Sequence, residues 1–278
     1  MSYLMKVDEL EEKLHNENLV VVDVRFDLQD PDAGRKLYIE SHLPNAVYLD
    51  LNKDLSGKVK KHGGNHPLPD VDIFSAKLGN IGIDNETTVV IYDAENGMFS
   101  ARMWWLLYYF GHEKMYLLEG GYNGWLENGK EVTTTIPISR KKNYIPKIRH
   151  NEVVDIHGVK EKLSKNESVL IDSRAKERYL GKVEPLYPKA GHIPGAKNYF
   201  WKDVLDENGY WKTSKELEKH FQLLNKEEEI IVSCGSGVSA CPNIIALKQA
   251  GYKNVKLYPG SFSDWISYDE NRVEKKEE

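Results

Sequence analysis

Short runs of β-branched and other apolar residues alternate along the chain with longer stretches of helical periodicity. The first half contains the runs VVVDV, VVIYD and MYLLEG, and the second half contains VLIDS, EIIVS and VKLYPG. Buried strands of a parallel sheet are short and almost continuously apolar, and each is followed by a helix that crosses back over the sheet. The pattern predicts an α/β fold with mainly parallel sheets flanked by helices.

The two halves of the sequence repeat each other in order, which indicates a duplicated domain. Asp23 and Arg25 end the first apolar run of one half, and Asp172 and Arg174 end that of the other. The strings HLPNA and GHEKMYLLEGGYNGW then correspond to HIPGA and GYKNVKLYPGSFSDW. The first half is about ten residues longer between these strings, and the loop-like segment 53–70 accounts for the difference.

We therefore predict two tandem domains, at 1–130 and 153–272, of a size typical for domains. The segment 131–152 between them contains two prolines, a threonine run and a basic cluster, which indicates an extended linker with solvated charges. The last residues, 273–278, form a charged tail.

Composition excludes several classes of partner. A net charge of -5 with 29% charged residues provides no basic face for nucleic acid. The polar, acidic start of the chain lacks the apolar core of a secretory signal, and the most apolar helical stretch is interrupted by Arg102 and too short to span a bilayer. Two cysteines in 278 residues suit a reducing compartment. We expect a soluble, cytoplasmic protein without nucleic-acid or membrane partners.

Cys234 follows the run EIIVS and opens a short loop that leads into a helical pattern. Glycines in this loop allow successive backbone N–H groups to turn inward around an anion, and the following helix adds its positive N-terminal end. These surroundings favour a reactive thiolate, although free cysteines are also common as small buried residues at strand ends. The predicted anion-binding loop consists of Gly235, Ser236, Gly237, Val238 and Ser239.

The other cysteine, Cys241, falls within the helical pattern and is expected to fill the core, or at most to act as a resolving thiol. Two cysteines without a histidine at suitable spacing cannot complete a four-ligand zinc site, so we predict neither a metal nor another cofactor. The first half has Asp93 or Ala94 at the position of Cys234, which assigns the chemistry to the second domain.

Together these features resemble the two-domain rhodanese-like sulfurtransferases, the thiosulfate and 3-mercaptopyruvate sulfurtransferases. The resemblance covers nearly the whole chain and rests on the duplicated D-x-R, GHIPGA, NHPLPD, FSARMWW and CGSGVSA. It implies that Cys234 takes sulfur from a small-molecule donor, becomes a persulfide, and passes the sulfur to a thiol, cyanide or thioredoxin-like acceptor. Loop N–H groups would stabilise first the thiolate and then the persulfide.

The loop composition favours 3-mercaptopyruvate as the donor. In the family, Cys-Arg-Lys-Gly-Val is typical of thiosulfate enzymes, whereas Cys-Gly-Ser-Gly-Val resembles the 3-mercaptopyruvate enzymes. A dianionic donor gains from cations, and Gly235 and Ser236 supply none. Ser236 supplies a hydroxyl that donates to the donor or shuttles a proton, unless it is only a small turn residue. Thiosulfate is the alternative donor.

The resemblance also implies donor-binding residues outside the loop. Arg178 matches the family's substrate arginine and suits a carboxylate, although two acidic neighbours would equally make it a surface ion-pair residue. Mercaptopyruvate enzymes commonly carry a second arginine nine residues on, and this chain departs from them with Tyr187 there. Lys182 or Lys189 is a candidate substitute, although a lysine is a point charge and not a fork. His66 in NHPLPD is a candidate for a proton relay, or else an exposed loop histidine.

Two other functions use similar folds or loops. Cysteine phosphatases and arsenate reductases hold their oxyanion with an arginine six positions after the cysteine, where this chain has Ala240. Rhodanese-like domains also serve as non-enzymatic sulfur carriers or partner-binding modules, typically without the cysteine, and here only the first half lacks it. The sequence therefore predicts a sulfurtransferase.

Overall fold

The computed structural model describes residues 3–94 and 97–275, and the chain divides into two compact units. Residues 276–278 of the predicted tail lie outside the described residues, whereas Glu274 pairs with His192 through the backbone. The first unit consists of Met1–Gly57, Leu68–Arg149 and Glu207–Tyr210, and the second of Lys58–Pro67, His150–Asp206 and Trp211–Glu278.

The first unit contains a parallel sheet in which β2, β4 and β5 coincide with the apolar runs of the first half. The described strands are β1 (Leu4–Met5), β2 (Leu19–Asp23), β3 (Ala46–Tyr48), β4 (Thr88–Tyr92) and β5 (Met115–Leu118). Their order is β1-β5-β4-β2-β3, and all neighbours are parallel. The helices are α1 (Val7–Lys13), α2 (Ala33–Glu40), α3 (Val71–Asn80), α4 (Met98–Tyr109) and α5 (Gly121–Glu127).

The second unit repeats this arrangement with four described strands. They are β6 (Ser168–Asp172), β7 (Lys197–Asn198), β8 (Glu229–Ser233) and β9 (Val255–Leu257), in the order β7-β6-β8-β9 with parallel neighbours. The helices are α6 (Ile156–Ser164), α7 (Lys176–Leu180), α8 (Ser214–His220), α9 (Cys241–Gln249) and α10 (Ser261–Trp265), and two 3-10 helices lie at His150–Glu152 and Trp201–Val204. The predicted fold class is thereby confirmed.

Strand β8 places the predicted loop at the carboxyl edge of the second sheet. It is buried along its whole length, with β6 on one side and β9 on the other. Open parallel sheets bind ligands at this edge, where strands give way to helices. Helix α9 follows with Pro242 in its first turn, where the missing N–H has no intrahelical partner to lose.

The duplicated D-x-R sequence forms the same buried ion pair in each unit. Arg25 Nη2 lies 2.6 Å from Asp23 Oδ2, and Arg174 Nη2 lies 2.6 Å from Asp172 Oδ2. Each guanidinium also lies over an aromatic ring, at 4.1 Å from the Tyr122 centroid and 4.0 Å from the Phe262 centroid. Since the pair is complete in both units, it is part of the shared framework.

The segment 131–152, expected to be a linker, forms no helix or strand before His150, and its residues 131–149 lie along the first unit. Thr133 exchanges two backbone hydrogen bonds with His42. Lys142 N–H donates to the carbonyl of Gly79, and the ring of Tyr144 is buried. These contacts explain why the segment belongs to the first unit.

Helix α4 contains the most apolar stretch of the chain and is almost wholly buried in the first unit. Arg102, which interrupts the apolar stretch, is also buried, and its guanidinium donates to the carbonyl of Leu55 at 3.3 Å. Within the part of the chain that the structure describes, no helix is long and apolar enough to cross a membrane.

Glu229, at the start of β8, is held by three donors. Its carboxylate lies 2.8 Å from Lys162 Nζ and 2.5 Å from Lys256 Nζ, and it accepts from the Ser168 hydroxyl at 2.6 Å. Burial opposes ionisation, but the donors outweigh it and lower the pKa of Glu229 to about 2. Because the ordinary pKa is 4.5, Glu229 stabilises the fold above that pH, and this contribution is lost as the pH falls toward 2.

We expect Glu229→Gln to lower the free energy of unfolding by about 1–2 kcal/mol at neutral pH, because the two lysines lose their buried partner. The deficit should shrink below about pH 4.5 and vanish near pH 2. Urea unfolding at several pH values measures it. Glu161→Gln is the matched control, since Glu161 forms only an exposed pair with Lys165 and its loss should change the free energy of unfolding much less. A deficit that does not depend on pH would contradict the prediction.

Candidate active site

Cys234 lies directly after β8 and is almost completely buried, with 1% of its surface exposed. Its N–H donates to the hydroxyl of Ser261 and its carbonyl accepts from Phe262 N–H, both at 3.0 Å. These two bonds tie the cysteine to the start of α10. Its Sγ accepts a hydrogen bond from Gly237 N–H at 3.1 Å, so the sulfur points into the concave side of its own loop.

Gly237 can occupy its position only because it has no side chain. Its φ is +80°, in the left-handed region that favours glycine. A Cβ atom there would lie 2.4 Å from the carbonyl oxygen of Pro259. The contact between the Gly237 amide and Cys234 therefore depends on glycine for two separate reasons.

Further amide groups of the loop remain available to an anion. Among the described residues, no acceptor is found for the N–H groups that flank Gly237 in the loop. The loop ends at the N-terminus of α9, whose dipole favours negative charge. Unpaired buried amides are costly, which makes this loop suited to a bound anion. These amides belong to Gly235, Ser236, Val238, Ser239 and Ala240.

In the first unit a carboxyl group lies where the second unit has Cys234. Strand register aligns Tyr92 with Ser233 as the last residue of each central strand, so Asp93 occupies the position of Cys234. The buried carboxylate of Asp93 accepts from the N–H groups of Gly97, Phe99 and Ser100 at 3.0, 2.9 and 3.1 Å. Burial raises the pKa of Asp93 although these amides oppose the shift.

His66 reaches the loop because residues 58–67 belong to the second unit, although the sequence places them within the first domain. The N–H groups of Gly63 and Asn65 donate to Asp264 Oδ1 at 2.7 Å and to Ser263 Oγ at 3.2 Å. His66 Nδ1 then lies 2.7 Å from Ser236 Oγ. The imidazole is half-buried against the loop.

Tyr187 also lies against the loop, which the sequence did not predict. A Cβ atom built on Gly235 would lie 2.6 Å from its phenol oxygen, and its ring packs edge-on against Phe262 with centroids 5.9 Å apart. Burial and the nearby Cys234 raise the pKa of Tyr187 to about 12, although Arg178 partly opposes the shift. The phenol therefore stays neutral at physiological pH. The sequence alone shows only that a tyrosine stands where the resemblance implies an arginine.

Arg178 is paired with a carboxylate of its own chain. Its Nε and Nη2 donate to the two oxygens of Glu184 at 3.2 and 2.8 Å. Glu184 is buried and also accepts from Arg174 Nη1 at 3.2 Å, whereas 21% of the Arg178 side chain is exposed. In this structure Arg178 therefore forms an ion pair, which is the second of the two interpretations of this residue. Lys189 is half-buried and has no hydrogen-bond partner among the described residues.

Cys241 is the first residue of α9 and is fully buried. Its S–H donates to the carbonyl of Gly237 at 3.4 Å, so both cysteines contact the same glycine. Among the described residues, no group of three or more potential metal ligands is found. What the site offers chemically is therefore a buried sulfur, a ring of backbone donors, and a serine hydroxyl bonded to an imidazole.

Comparison with known proteins identifies the family. The model of the rhodanese-like domain matches the chain twice, over residues 6–128 and 155–268. The chain belongs to the rhodanese-like family. The predicted family and the tandem arrangement of two such domains are both confirmed.

Sequence relatives and solved structures match this rhodanese-like protein over nearly its whole length. A Pseudomonas aeruginosa protein named "Probable 3-mercaptopyruvate sulfurtransferase" is 37% identical over 95% of each chain. The thiosulfate sulfurtransferase of Rattus norvegicus is 31% identical over 90% of this chain and 85% of its own. The structure of Escherichia coli SseA, a 3-mercaptopyruvate sulfotransferase, is 30% identical with a TM-score of 0.84, over 95% and 100% of the two chains.

We expect Gly237→Ala to lower the free energy of unfolding by about 2–4 kcal/mol, because the methyl group meets the Pro259 carbonyl. Gly195→Ala is the matched control: its φ is +79°, but nothing lies within 4 Å of a Cβ there. That control should cost only about 1 kcal/mol from backbone strain. Urea unfolding measures both, and equal losses would show that the Pro259 contact does not matter.

Proposed function

We propose that this protein transfers sulfur from 3-mercaptopyruvate through a persulfide on Cys234, releases pyruvate, and passes the sulfur to cyanide, a small thiol or a thioredoxin-like dithiol. The predicted enzyme class is confirmed by the two sequence relatives above, each named a sulfurtransferase. The observation that carries the assignment to Cys234 is its Sγ, 3.1 Å from the Gly237 amide in a loop with further amides available.

Sulfur uptake begins with attack of the Cys234 thiolate on the sulfur of mercaptopyruvate. A new S–S bond forms, and the bond between sulfur and C3 of the donor breaks. Its electron pair moves to C3 as the enolate of pyruvate, which then takes up a proton, while the donor thiol loses its own. The products are the Cys234 persulfide and pyruvate, and no outside oxidant or reductant is needed.

The proton for the enolate comes from Ser236. Its hydroxyl lies beside Cys234 in the loop, and His66 Nδ1 at 2.7 Å can replace the proton that it gives up. The same hydroxyl donates a hydrogen bond to the keto oxygen of the donor as negative charge develops there. This role is better supported than that of a small turn residue, because the Ser236 hydroxyl has a side-chain partner in His66.

Persulfide transfer uses the amides of the loop. The outer sulfur carries the negative charge, and the N–H groups around Gly237 stabilise it as those of the first unit stabilise the Asp93 carboxylate. The acceptor attacks this outer sulfur, the S–S bond breaks, and the Cys234 thiolate returns. The free cysteines and this thiolate chemistry suit a reducing compartment such as the cytoplasm.

The neutral loop supports mercaptopyruvate over thiosulfate as the donor. Gly235 and Ser236 add no positive charge, and the nearby Arg174 and Arg178 are paired with carboxylates. A thiosulfate dianion would find little net positive charge there. A single carboxylate can use the exposed part of Arg178, because Glu184 keeps Arg174 as a partner if it yields Arg178.

After treatment with mercaptopyruvate, the protein should gain the mass of one sulfur atom. We expect Cys234→Ser to abolish this gain, because serine cannot form a persulfide, and Cys241→Ser to retain it. Intact-mass spectrometry of the three proteins measures the result. Sulfur on the Cys234→Ser protein would show that another group carries it.

Arg178→Ala should raise KM for mercaptopyruvate by about 10- to 100-fold with a smaller change in kcat, because a charge-assisted contact to the donor carboxylate is lost. Arg178→Lys should restore part of it, since lysine keeps the charge without the fork. Lys189→Ala is the comparison variant and should change KM less than about twofold. Steady-state assays with both donors measure these changes in KM. A larger rise for Lys189→Ala than for Arg178→Ala would show that Lys189, and not Arg178, binds the donor carboxylate.

A further inference from the structure

The 258–264 connection, which follows β9 and leads into α10, holds the backbone of the Cys234 loop. Ser261 Oγ accepts from Cys234 N–H at 3.0 Å, and Ser263 N–H donates to the carbonyl of Gly235 at 2.8 Å. The φ of Ser261 is +51°, in the left-handed region that residues other than glycine rarely adopt. Such a conformation persists only where surrounding contacts fix it. The connection is therefore held firmly against the active loop.

The same connection also holds the segment that carries His66. Asp264 Oδ1 accepts from Gly63 N–H at 2.7 Å. A Cβ atom on Gly64 would lie 2.5 Å from the carbonyl oxygen of Gly260, so the two backbones are in direct contact there. Because Gly63 lies only three residues before His66, the position of the Asp264 side chain limits where the imidazole can lie.

The side chain of Asp264 is bound at both of its oxygens. It is buried, with 5% of the residue exposed, and its Oδ2 accepts from the Tyr258 hydroxyl at 2.8 Å. Burial, and then the nearby Asp264, raise the pKa of Tyr258, so its phenol stays protonated and can donate. A carboxylate that accepts hydrogen bonds at both oxygens cannot rotate without losing one of them. Asp264 is therefore a fixed point for the segment.

Segment 58–67 has a second anchor at His62. The imidazole Nδ1 of His62 lies 2.7 Å from Ser267 Oγ, and its ring stacks on Tyr268 with centroids 4.0 Å apart. These contacts do not involve Asp264. Removal of the Asp264 carboxylate should therefore leave the segment attached to the second unit and loosen only its part nearest the active loop.

We propose that Asp264 is a positioning residue for sulfur uptake, which fixes segment 58–67 on the connection that also holds Cys234 and so keeps His66 at Ser236. This inference rests on the function proposed above and adds a residue to it. During sulfur uptake Ser236 gives a proton to the enolate and His66 replaces that proton. Uptake therefore depends on their contact at 2.7 Å.

Transfer of the sulfur to cyanide should not depend on Asp264. The cyanide anion attacks the outer sulfur of the persulfide, the S–S bond breaks, and thiocyanate and the Cys234 thiolate are formed. No proton moves in this step, so a displaced His66 leaves its rate unchanged. The two half-reactions thus separate a positioning effect from a general loss of structure.

Asp264→Ala should lower kcat/KM for mercaptopyruvate about tenfold and change kcat/KM for cyanide less than about twofold. In a His66→Ala background the same change should matter less than about twofold, since the imidazole that Asp264 positions is gone. Asp264→Asn should recover most of the loss, because its amide oxygen can still accept from Gly63 N–H. Equal losses in the two backgrounds, or equal losses with the two substrates, would overturn the positioning role.

Gly64→Ala tests the same placement with Asp264 intact, and it decides the question where Asp264→Ala unfolds the protein. The added methyl group meets the carbonyl of Gly260 and pushes the segment away from the connection. We expect kcat/KM for mercaptopyruvate to fall at least about fivefold and that for cyanide to stay within about twofold. The absence of a selective loss would contradict the proposal.

Tyr252→Phe is the control for stability. It removes a buried hydroxyl that donates to the carbonyls of Phe221 and Leu224, so it should destabilise the fold without changing kcat/KM for either substrate. Urea unfolding curves of each variant show that a loss of rate is not a loss of folded protein.

The proposal about Asp264 and the proposed function fail in different ways. If the wild-type protein takes up no sulfur from mercaptopyruvate, the proposed function is wrong whatever the Asp264 variants do. If the wild-type protein takes it up and Asp264→Ala equals it in kcat/KM for mercaptopyruvate, only the role of Asp264 is wrong.

Discussion

The contact on which both loops depend is an acceptor side chain held by backbone amides, at the point where a central parallel strand gives way to a helix. In the first unit the carboxyl group of Asp93 accepts from Gly97 N–H and from two N–H groups in the first turn of α4. In the second, Cys234 Sγ occupies the corresponding position and accepts from Gly237. The carboxylate fills its loop permanently, whereas a thiol takes less space and can acquire one more atom. One duplicated loop thus serves the fold in one unit and is suited to chemistry in the other.

The sequence predicted the strands and suggested the buried ion pairs, because both are formed by residues that are close together in the chain. The apolar runs became strands, and the repeated D-x-R became the same buried ion pair twice. Cys234 could be identified because strand, glycine loop and helix adjoin it in the sequence. Segment 58–67 could not be placed, since its position in the second unit depends on hydrogen bonds to Ser263 and Asp264, about 200 residues away. Without that packing His66 is only a loop histidine.

Tyr187 and Glu184 show a second limit of inference from sequence. The family resemblance shows only that position 187 lacks an arginine. No local sequence pattern predicts which residues the tyrosine contacts there. The structure places the phenol against Gly235 of the loop and the ring against Phe262. Likewise Arg178 matched a binding residue, but its pairing with Glu184 depends on a loop that folds back from α7.

The charges on the side chains around Cys234 nearly cancel. Arg174 is shared by Asp172 and Glu184, and Glu184 is shared by Arg174 and Arg178. A buried carboxylate that lost its only partner would be strongly destabilising. Because Glu184 has two partners, it would keep Arg174 if the donor carboxylate took its place at Arg178, as the proposed function requires. In the proposed reaction the negative charge of the sulfur would then be left to the loop amides, which are fixed by the fold and would need no reorganisation as that charge moved from the inner to the outer sulfur.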